Sequence, residues 1–461
     1  MWTRRAWHRL VLMVSAGLVL ASCAARPSME DTPPVVFVHG NGDTAALWMT
    51  TLWRFESSGW PRDRLHAIDA AYPLSRDDDT KPQPGRSSTA ESMALLKAEV
   101  EKVLKATGAS RVVLVGNSRG GNAIRNYVQN GGGERVVSHV ILGGTPNHGV
   151  WAIKDFREGN EFSGTGPFLT ALNAPKNAAG DEVTGPVKWM TLRSDNNDKY
   201  AQPDGLWIGA KGKPTNVTYE GPALKGATNI VLPRVDHRET AFSQAAFNAM
   251  YGFITGRSPR APGVEPEAQV VLNGRVTGLG VDSLDPKSGN VANNLPVPGA
   301  QLLIYATDAA TGMRQGSAVH TRTVGADGVW GPFNAQPLTS YEFVVAAPGY
   351  ATTHIYRSAF PRSTAVLNLR AERIADADKD AGAIVSFSRP RGYFDPARDQ
   401  MRFDGQTSLP GVLPGAGVAN SKIKLQDVPE RPFVASFNGE TIAARAWPAG
   451  QGHQTVIELH Y

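Results

Sequence analysis

The segment around Ser118 combines the residue types of a serine nucleophile with the spacing of a tight turn. It reads Gly-Asn-Ser-Arg-Gly over residues 116–120, after an apolar run at 112–115 and before a helical stretch at 122–128. In a turn from a buried strand into a helix, side chains two positions before and after the serine would collide, so both places need glycine. The strained turn lifts the hydroxyl above the sheet. The segment therefore predicts a nucleophile for acyl transfer.

A serine hydroxyl needs a base to accept its proton, and histidine is the usual base. When the nucleophile sits on such a turn, the chain order is serine, acid, histidine. Of the ten histidines, only His139, His148 and His237 lie between Ser118 and the β-rich part of the chain. His139 falls inside a predicted strand, and His148 precedes the candidate acids. His237 precedes the helix predicted at 241–253, so we predict it as the base.

The acid that orients the histidine must lie just beyond the end of a strand. The predicted strand at 188–192 runs into a polar loop that contains three aspartates, Asp195, Asp198 and Asp204. All three have suitable positions along the chain. The residues alone therefore leave the choice of acid open.

Two backbone N–H groups must stabilise the negative oxygen that forms when the serine attacks. One belongs to the residue after the nucleophile, here Arg119, and the other to a loop after an early strand. The glycine-rich loop at 39–43 follows the first apolar run, and we predict Asn41 as its donor. His39 lies upstream of the serine and is interpreted as structural.

The elements that must position these residues alternate between strands and helices. Residues 91–107 have helical periodicity, with their apolar side chains on one side. The predicted strands are apolar at consecutive positions, which is typical of a sheet covered on both faces. This pattern predicts an α/β fold with a doubly wound parallel sheet over residues 33–256. Its main predicted strands are 35–38, 111–115, 137–142 and 188–192.

The character of the chain changes after a proline-rich linker at 257–268. Helical periodicity ends there, and short β segments separated by turns predict an all-β, sandwich-like region. We divide it into a β-sandwich at 269–370 and a second β segment or domain at 371–461. Whether it forms one domain or two stays open. The predicted strands are 270–272, 301–305, 341–345, 365–369, 384–387, 422–425, 433–437 and 456–459.

The N-terminus has the anatomy of an export signal, and it contains the single cysteine of the chain, Cys23. Residues 20–23 read Leu-Ala-Ser-Cys and resemble the bacterial lipobox, in which cleavage precedes a cysteine that is then acylated. We therefore expect residues 1–23 to be a lipoprotein-type signal peptide and the mature protein to be lipid-anchored in the bacterial cell envelope. One cysteine also excludes an internal disulfide or a CxxC metal site.

The net charge of the chain gives no reason to expect nucleic-acid binding. The formal charge is +5, and three of these charges come from Arg4, Arg5 and Arg9 in the predicted signal. A remainder of +2 is small for a mature chain of this length.

Four stretches resemble the α/β-hydrolase lipases, and most closely the small bacterial class 2 lipases: residues 34–40, 59–65, 116–121 and 140–146. The resemblance implies hydrolysis of acyl esters through an acyl-enzyme, with no metal or organic cofactor. It also favours Asp198 over Asp195 as the acid, because Asp198 best fits the Asp-x-x-Val pattern of such lipases, with Ala201 in place of valine. The chain departs from the family at Asn117 and Arg119, where histidine and a hydrophobic residue are common.

The remaining segments leave several interpretations open. An aromatic-rich insert at 149–186 is expected to form a cap, an acyl-binding wall or core packing. Through its segments 295–302 and 346–350, the β region from about residue 270 to 370 resembles transthyretin-like or carboxypeptidase-regulatory sandwiches, and a lipase followed by such a region resembles certain archaeal lipases. The catalytic half also resembles polyhydroxyalkanoate depolymerases. The expected substrate is thus an acyl-ester lipid or a polyester, and the alternative is a surface-binding lipoprotein that uses the hydrolase fold as a scaffold.

Overall fold

The computed structural model describes residues 32–461 except 196, 206–207, 209, 282–289 and 414–416. Cys23 and the rest of the predicted signal peptide lie outside the described residues, so the signal peptide and the lipid anchor on Cys23 stay predictions. In the described part of the chain, no helix combines the length and the apolar character that crossing a bilayer requires.

The first half of the chain alternates between strands and helices. Its strands are β1 (Val35–Val38), β2 (Leu65–Ile68), β3 (Leu74–Ser75), β4 (Arg86–Ser87), β5 (Val112–Asn117), β6 (Val137–Gly143), β7 (Lys188–Ser194) and β8 (Thr228–Leu232). Its helices are α1 (Met49–Ser57), α2 (Thr89–Thr107), α3 (Arg119–Asn130), α4 (Pro167–Leu172), α5 (Glu239–Phe242) and α6 (Gln244–Thr255).

A six-stranded parallel sheet in the order β2-β1-β5-β6-β7-β8 forms the centre of this half. Successive residues of β1 face opposite cores. Val35 and Phe37 pack with α1 and α6, whereas Val36 and Val38 pack with α2 and α3. Burial on both faces explains why the strands are apolar at consecutive positions. The α/β fold predicted from the sequence is confirmed.

The helix boundaries follow from local capping. Helix α2 begins after Ser88, which exchanges hydrogen bonds with Glu91 in a capping box, and it ends at Gly108 in the left-handed conformation. The last helix, predicted at 241–253, is present as α6, but its predicted start is wrong because the helical structure breaks at Ser243. Ser243 is extended, and its side chain accepts the Ala246 N–H, so it ends α5 and caps α6.

The regular secondary structure in the second half of the described chain consists mainly of strands. They are β9 (Val270–Leu272), β10 (Val276–Gly278), β11 (Gly280–Val281), β12 (Asn290–Val291), β13 (Gln301–Thr307), β14 (His320–Thr323), β15 (Phe333–Ala335), β16 (Ser340–Ala346), β17 (Thr352–Arg357), β18 (Leu369–Ala371), β19 (Ala383–Ser388), β20 (Met401–Phe403), β21 (Asn420–Leu425), β22 (Phe433–Phe437), β23 (Glu440–Ala444) and β24 (His453–Glu458).

The largest sheet of this β region has seven strands in the order β14-β13-β16-β17-β24-β19-β21. It takes strands from both sides of the boundary predicted at residue 370, because β17 and β19 both pair with β24. The strand predicted at 365–369 is wrong, since β18 begins only at Leu369. Two residues before β18, the Leu367 N–H donates to the Asn273 carbonyl, and the Leu367 carbonyl accepts from the Trp330 indole. The backbone of Leu367 therefore forms hydrogen bonds that do not belong to a regular pair of strands.

The β region packs directly against the α/β half. Met49 and Trp53 of α1 are fully buried in the core formed by strands of the β region. The Trp53 indole also donates to the Ser363 carbonyl at 2.9 Å. Asn294 donates its side-chain N–H to the carbonyls of Asp43 and Ala70 at 2.9 Å. The β region therefore supports loops that surround the predicted site.

Candidate active site

Ser118 lies between β5 and α3 in a conformation that residues other than glycine rarely adopt. Its backbone dihedrals are φ 53° and ψ −123°. A Cβ atom at Gly120 would collide with the carbonyl oxygens of Val38 and His39, the latter 2.6 Å away. A Cβ atom at Gly116 would lie 2.7 Å from a backbone nitrogen of α3. Lack of room in the turn thus accounts for both glycines.

We expect Gly120→Ala to destabilise the protein by about 3 kcal/mol, because the added methyl group would collide with backbone that cannot move independently of β1. Thermal unfolding followed by circular dichroism would measure the loss. Gly263→Ala is the matched control, since a Cβ at Gly263 has no atom within 4 Å in the described structure. Equal melting temperatures for the two variants would contradict this interpretation of the turn.

His237 and Asp198 form a buried hydrogen-bonded pair. His237 Nδ1 lies 2.9 Å from Asp198 Oδ2, and the residues are only 5% and 7% exposed. Asp198 Oδ1 accepts the Tyr200 N–H at 2.9 Å, which fixes the carboxylate. The Tyr200 ring packs edge-on against the imidazole, with ring centroids 4.6 Å apart. A carboxylate bonded to Nδ1 holds Nε2 free to accept a proton.

The other two candidate acids occupy different positions. Asp195 accepts hydrogen bonds from the Arg234 N–H at 2.9 Å and from the Ser194 hydroxyl at 3.2 Å. It therefore fixes the backbone three residues before His237. Asp204 is exposed on its loop. The structure thus brings Asp198, and not Asp195, to the imidazole.

Ser118 and His237 line the same cavity, which has a volume of about 270 Å³. Among the described residues, no hydrogen bond joins the Ser118 hydroxyl to His237. Hydrogen bonds between nucleophile and base are often long in free enzymes and tighten when substrate binds. The site therefore holds an oriented imidazole beside a strained, partly exposed serine.

The loop after β1 borders this cavity and contains Asn41. A Cβ atom at Gly40 would lie 3.0 Å from the Ser118 Cβ, so the loop passes against the serine. The Asn41 side chain accepts the Ser75 N–H at 2.7 Å, and its own backbone N–H has no partner among the described residues. Arg119 is the first residue of α3, a position where the N–H lacks an acceptor within the helix. Both predicted donors thus flank the serine.

The side chain of Arg119 is directed away from the cavity of Ser118. It is buried and forms a two-pronged ion pair with Glu161 at 2.7 and 3.0 Å. Its remaining N–H groups donate to the Pro73 carbonyl and to both oxygens of Ser87. Burial raises the pKa of Glu161, and the guanidinium opposes this rise. Arg119 therefore ties the insert at 149–186 to the turn.

Asn117 has a positional role that the sequence did not indicate. Its side-chain amide lies within hydrogen-bond distance of the carbonyls of Gly143 and His237, both at 3.2 Å, and of the Thr240 hydroxyl at 3.1 Å. The residue before the predicted nucleophile thus holds the backbone of the predicted base. Only the departure from the family pattern at this position could have drawn attention to it.

Apolar side chains form one wall of the cavity. Val150, Trp151 and Phe162 of the insert line it together with Ile208, and these residues pack in one cluster. Tyr393 of the β region also lines it. No local motif marks Tyr393, which lies far along the chain from the other residues of the site.

Comparison with protein-family models finds two matches. Residues 32–153 match the class 2 lipase model, and residues 268–374 match the lipase C-terminal domain model. The match to the class 2 lipase model contains Ser118. The match to the lipase C-terminal domain model contains the strands of the β region that bury Met49 and Trp53 of α1.

Three solved structures that the chain resembles have low sequence identity to it. The mature form of lipase BlEst2 from Bacillus licheniformis is 20% identical, covers 49% of this chain and 93% of its own, and has a TM-score of 0.35. Phospholipase PlaB from Legionella pneumophila is 14% identical, covers 75% of this chain and 95% of its own, and has a TM-score of 0.32. A monoacylglycerol lipase from Paleococcus ferrophilus is 12% identical, covers 49% and 96%, and has a TM-score of 0.32.

Proposed function

We propose that this chain, whose residues 32–153 match the class 2 lipase model and whose residues 268–374 match the lipase C-terminal domain model, is a serine carboxylic-ester hydrolase for acyl esters. The proposal rests chiefly on the buried hydrogen bond between His237 and Asp198, beside the cavity that Ser118 lines. This arrangement has the parts that ester hydrolysis through an acyl-enzyme needs.

In the proposed mechanism, Ser118 Oγ attacks the ester carbonyl carbon while His237 Nε2 accepts the hydroxyl proton. Asp198 holds the imidazole in the tautomer that leaves Nε2 unprotonated, and it stabilises the imidazolium that forms. The tetrahedral intermediate then collapses, the carbon–oxygen bond to the alcohol breaks, and His237 gives its proton to the leaving alcohol. Water attacks the acyl-serine in the same way and releases the carboxylic acid and the free serine.

The backbone N–H groups of Asn41 and Arg119 are proposed to stabilise the oxyanion of both tetrahedral intermediates. The loop of Asn41 is fixed from two sides in support of this role. His39 Nδ1 bonds the Gly40 carbonyl at 2.8 Å, and its Nε2 accepts the Ala70 N–H at 3.1 Å. Donors that are fixed before the reaction cost no reorganisation when the charge develops.

We propose that the apolar wall of the cavity, to which the insert contributes, binds the acyl chain of the ester. We expect Phe162→Ala to enlarge the cavity and to raise the ratio of kcat/KM for octanoate over butyrate p-nitrophenyl esters by about tenfold.

Phe168→Ala is the matched control for this measurement, because Phe168 belongs to the same insert but does not line the cavity of Ser118. If the octanoate-to-butyrate ratio is unchanged in Phe162→Ala, or changes equally in Phe168→Ala, the insert does not form part of the acyl-binding wall.

The function is tested by a substrate panel on the purified protein, with heat-denatured protein as the blank. We expect turnover of p-nitrophenyl esters with a burst of nitrophenol, which signals acyl-enzyme accumulation, and release of fatty acid from emulsified glycerides. Clearing of a polyester suspension without glyceride hydrolysis would assign the polyester depolymerase instead. No hydrolysis of any ester, with retention on polyester or lipid particles, would contradict the proposal and favour a binding lipoprotein.

We also propose that the protein is exported and is anchored in the cell envelope by lipid on Cys23. The support is the cationic and apolar N-terminal segment followed by Leu-Ala-Ser-Cys at residues 20–23. Cys23→Ser should release the protein from the membrane fraction or block its processing, as shown by fractionation and immunoblotting of expressing cells. Unchanged membrane association of Cys23→Ser would exclude this anchor.

A further inference from the structure

The carboxylates of Asp236, which is buried, and Glu239, which is partly buried, join the segment of His237 into one hydrogen-bonded turn. Asp236 Oδ1 accepts the N–H groups of Arg238 and Glu239, both at 2.8 Å. Glu239 in return accepts the Asp236 N–H at 2.7 Å. These reciprocal bonds follow the pattern of a capping box and enclose His237. The position of the imidazole therefore depends on where the two carboxylates are held.

Both carboxylates are held by the β region, through the segment 389–398. The other carboxylate oxygen of Asp236, Oδ2, accepts a hydrogen bond from the Arg389 guanidinium at 2.9 Å and one from the Tyr393 N–H at 2.8 Å. The same guanidinium donates to Glu239 at 2.5 Å, and Arg398 donates to Glu239 as well.

Charge makes these contacts hard to replace. Burial raises the pKa of Glu239, Asp236 raises it further, and the guanidiniums of Arg389 and Arg398 lower it. Arg389 donates to both carboxylates, so its removal takes a cationic partner from each of them inside the protein, where loss of a charged partner is costly. Arg389 is itself buried, so it holds the two carboxylates at a place that bulk water does not reach.

The loop that contains Asp198 is also held by the β region. Lys199, the next residue, donates to the Gly417 carbonyl at 2.8 Å and lies 3.9 Å above the Tyr393 ring. Asn197, on the other side, approaches the Asp395 carboxylate at 3.5 Å. Both partners of the His237–Asp198 hydrogen bond thus lie in loops that contact the β region.

We infer that segment 389–398 of the β region positions His237 for proton transfer, with Arg389 as the principal positioning residue. This inference rests on the proposed function, since it concerns the residue proposed as its base. The β region is then a structural part of the active site, beyond any role in binding a surface or polymer.

Steady-state kinetics of Arg389→Gln and Asp236→Asn test the inference. Asp236→Asn keeps the oxygen that accepts from Arg238 and Glu239, but its amide group would face two donors, the Arg389 guanidinium and the Tyr393 N–H. We expect kcat for p-nitrophenyl butyrate to fall about 100-fold in both variants, because small displacements of a catalytic group carry costs of this size. KM should change by less than about threefold, since neither side chain is proposed to bind substrate.

The double variant and two further substitutions refine the test. The combined effect of Arg389→Gln and Asp236→Asn should be smaller than the product of the two single effects, because the two substitutions share the Arg389–Asp236 contact, although Arg389 also contacts Glu239 and Asp236 also contacts the Tyr393 N–H. Arg389→Lys should recover part of kcat by restoring one cation. Arg431→Gln is the matched control, because Arg431 pairs with Asp404 inside the β region and should leave kcat unchanged.

A spectroscopic readout separates this inference from the proposed function. The low-field proton resonance of His237 Nδ1–H, assigned by its absence from His237→Gln, should be lost through exchange in Arg389→Gln and retained in Arg431→Gln. If the wild-type protein hydrolyses no ester, the proposed function fails, and this resonance still shows whether Arg389 positions the imidazole.

The inference is overturned if folded Asp236→Asn and Arg389→Gln keep kcat within about threefold of wild type, or if the His237 resonance is unchanged in both. Circular dichroism establishes folding. If Arg389→Gln does not fold, Asp236→Asn decides the question, because its shape and its cap are preserved.

Discussion

Ser118→Ala is expected to lower kcat/KM for p-nitrophenyl esters by about five orders of magnitude, with no loss of folded protein. The hydroxyl is the only group of the proposed mechanism that forms a bond to substrate, so no neighbour can replace it. Alanine has the same backbone restrictions as serine, and we therefore expect the turn with its positive φ to persist.

The measurement is a comparison of purified wild type, Ser118→Ala and Ser138→Ala at equal concentration. Ser138 lies on β6, and its hydroxyl donates to the Val112 carbonyl within the sheet. It controls for the removal of a hydroxyl from the same half of the chain. Rates for Ser118→Ala within tenfold of wild type would require another nucleophile.

The second large effect concerns the acid. We expect Asp198→Asn to lower kcat about 10⁴-fold, because an asparagine can present its amide to His237 Nδ1 and stabilise the wrong imidazole tautomer. The shape of the side chain is preserved, so the Tyr200 N–H keeps an oxygen acceptor. The loss should therefore appear in catalysis and not in stability.

Asp195→Asn is the matched comparison, since it makes the same chemical change in the same loop. Asp195 bonds the Arg234 N–H and not the imidazole, so its replacement should change kcat by less than about tenfold. A large loss in Asp195→Asn together with normal activity in Asp198→Asn would reverse the assignment of the acid.

Local patterns were sufficient to predict the parts of the fold that depend on neighbouring residues. The strand, turn and helix around Ser118 follow from apolar periodicity and from two glycines that have no room for a side chain. The break at Ser243 was missed because helical periodicity continues through it, and only the capping bond ends α5. Chain order alone pointed to His237.

Other features of the site depend on contacts between distant residues, which sequence patterns do not encode. Chain order left three aspartates open, and the preference for Asp198 came from the family resemblance. The contact of Arg389 with Asp236 joins residues 153 positions apart and follows no motif. The direction of the Arg119 side chain depends likewise on Glu161, a buried partner in the insert.

The central claim is that Ser118 is a nucleophile activated by His237, and covalent labelling tests it most directly. The full chain would be treated with a fluorophosphonate, which phosphonylates activated serines, and the adduct located by mass spectrometry of proteolytic peptides. The account predicts one adduct per chain, on Ser118, with labelling slowed by several orders of magnitude in His237→Gln. Absence of an adduct, an adduct on another residue, or undiminished labelling of His237→Gln would contradict it.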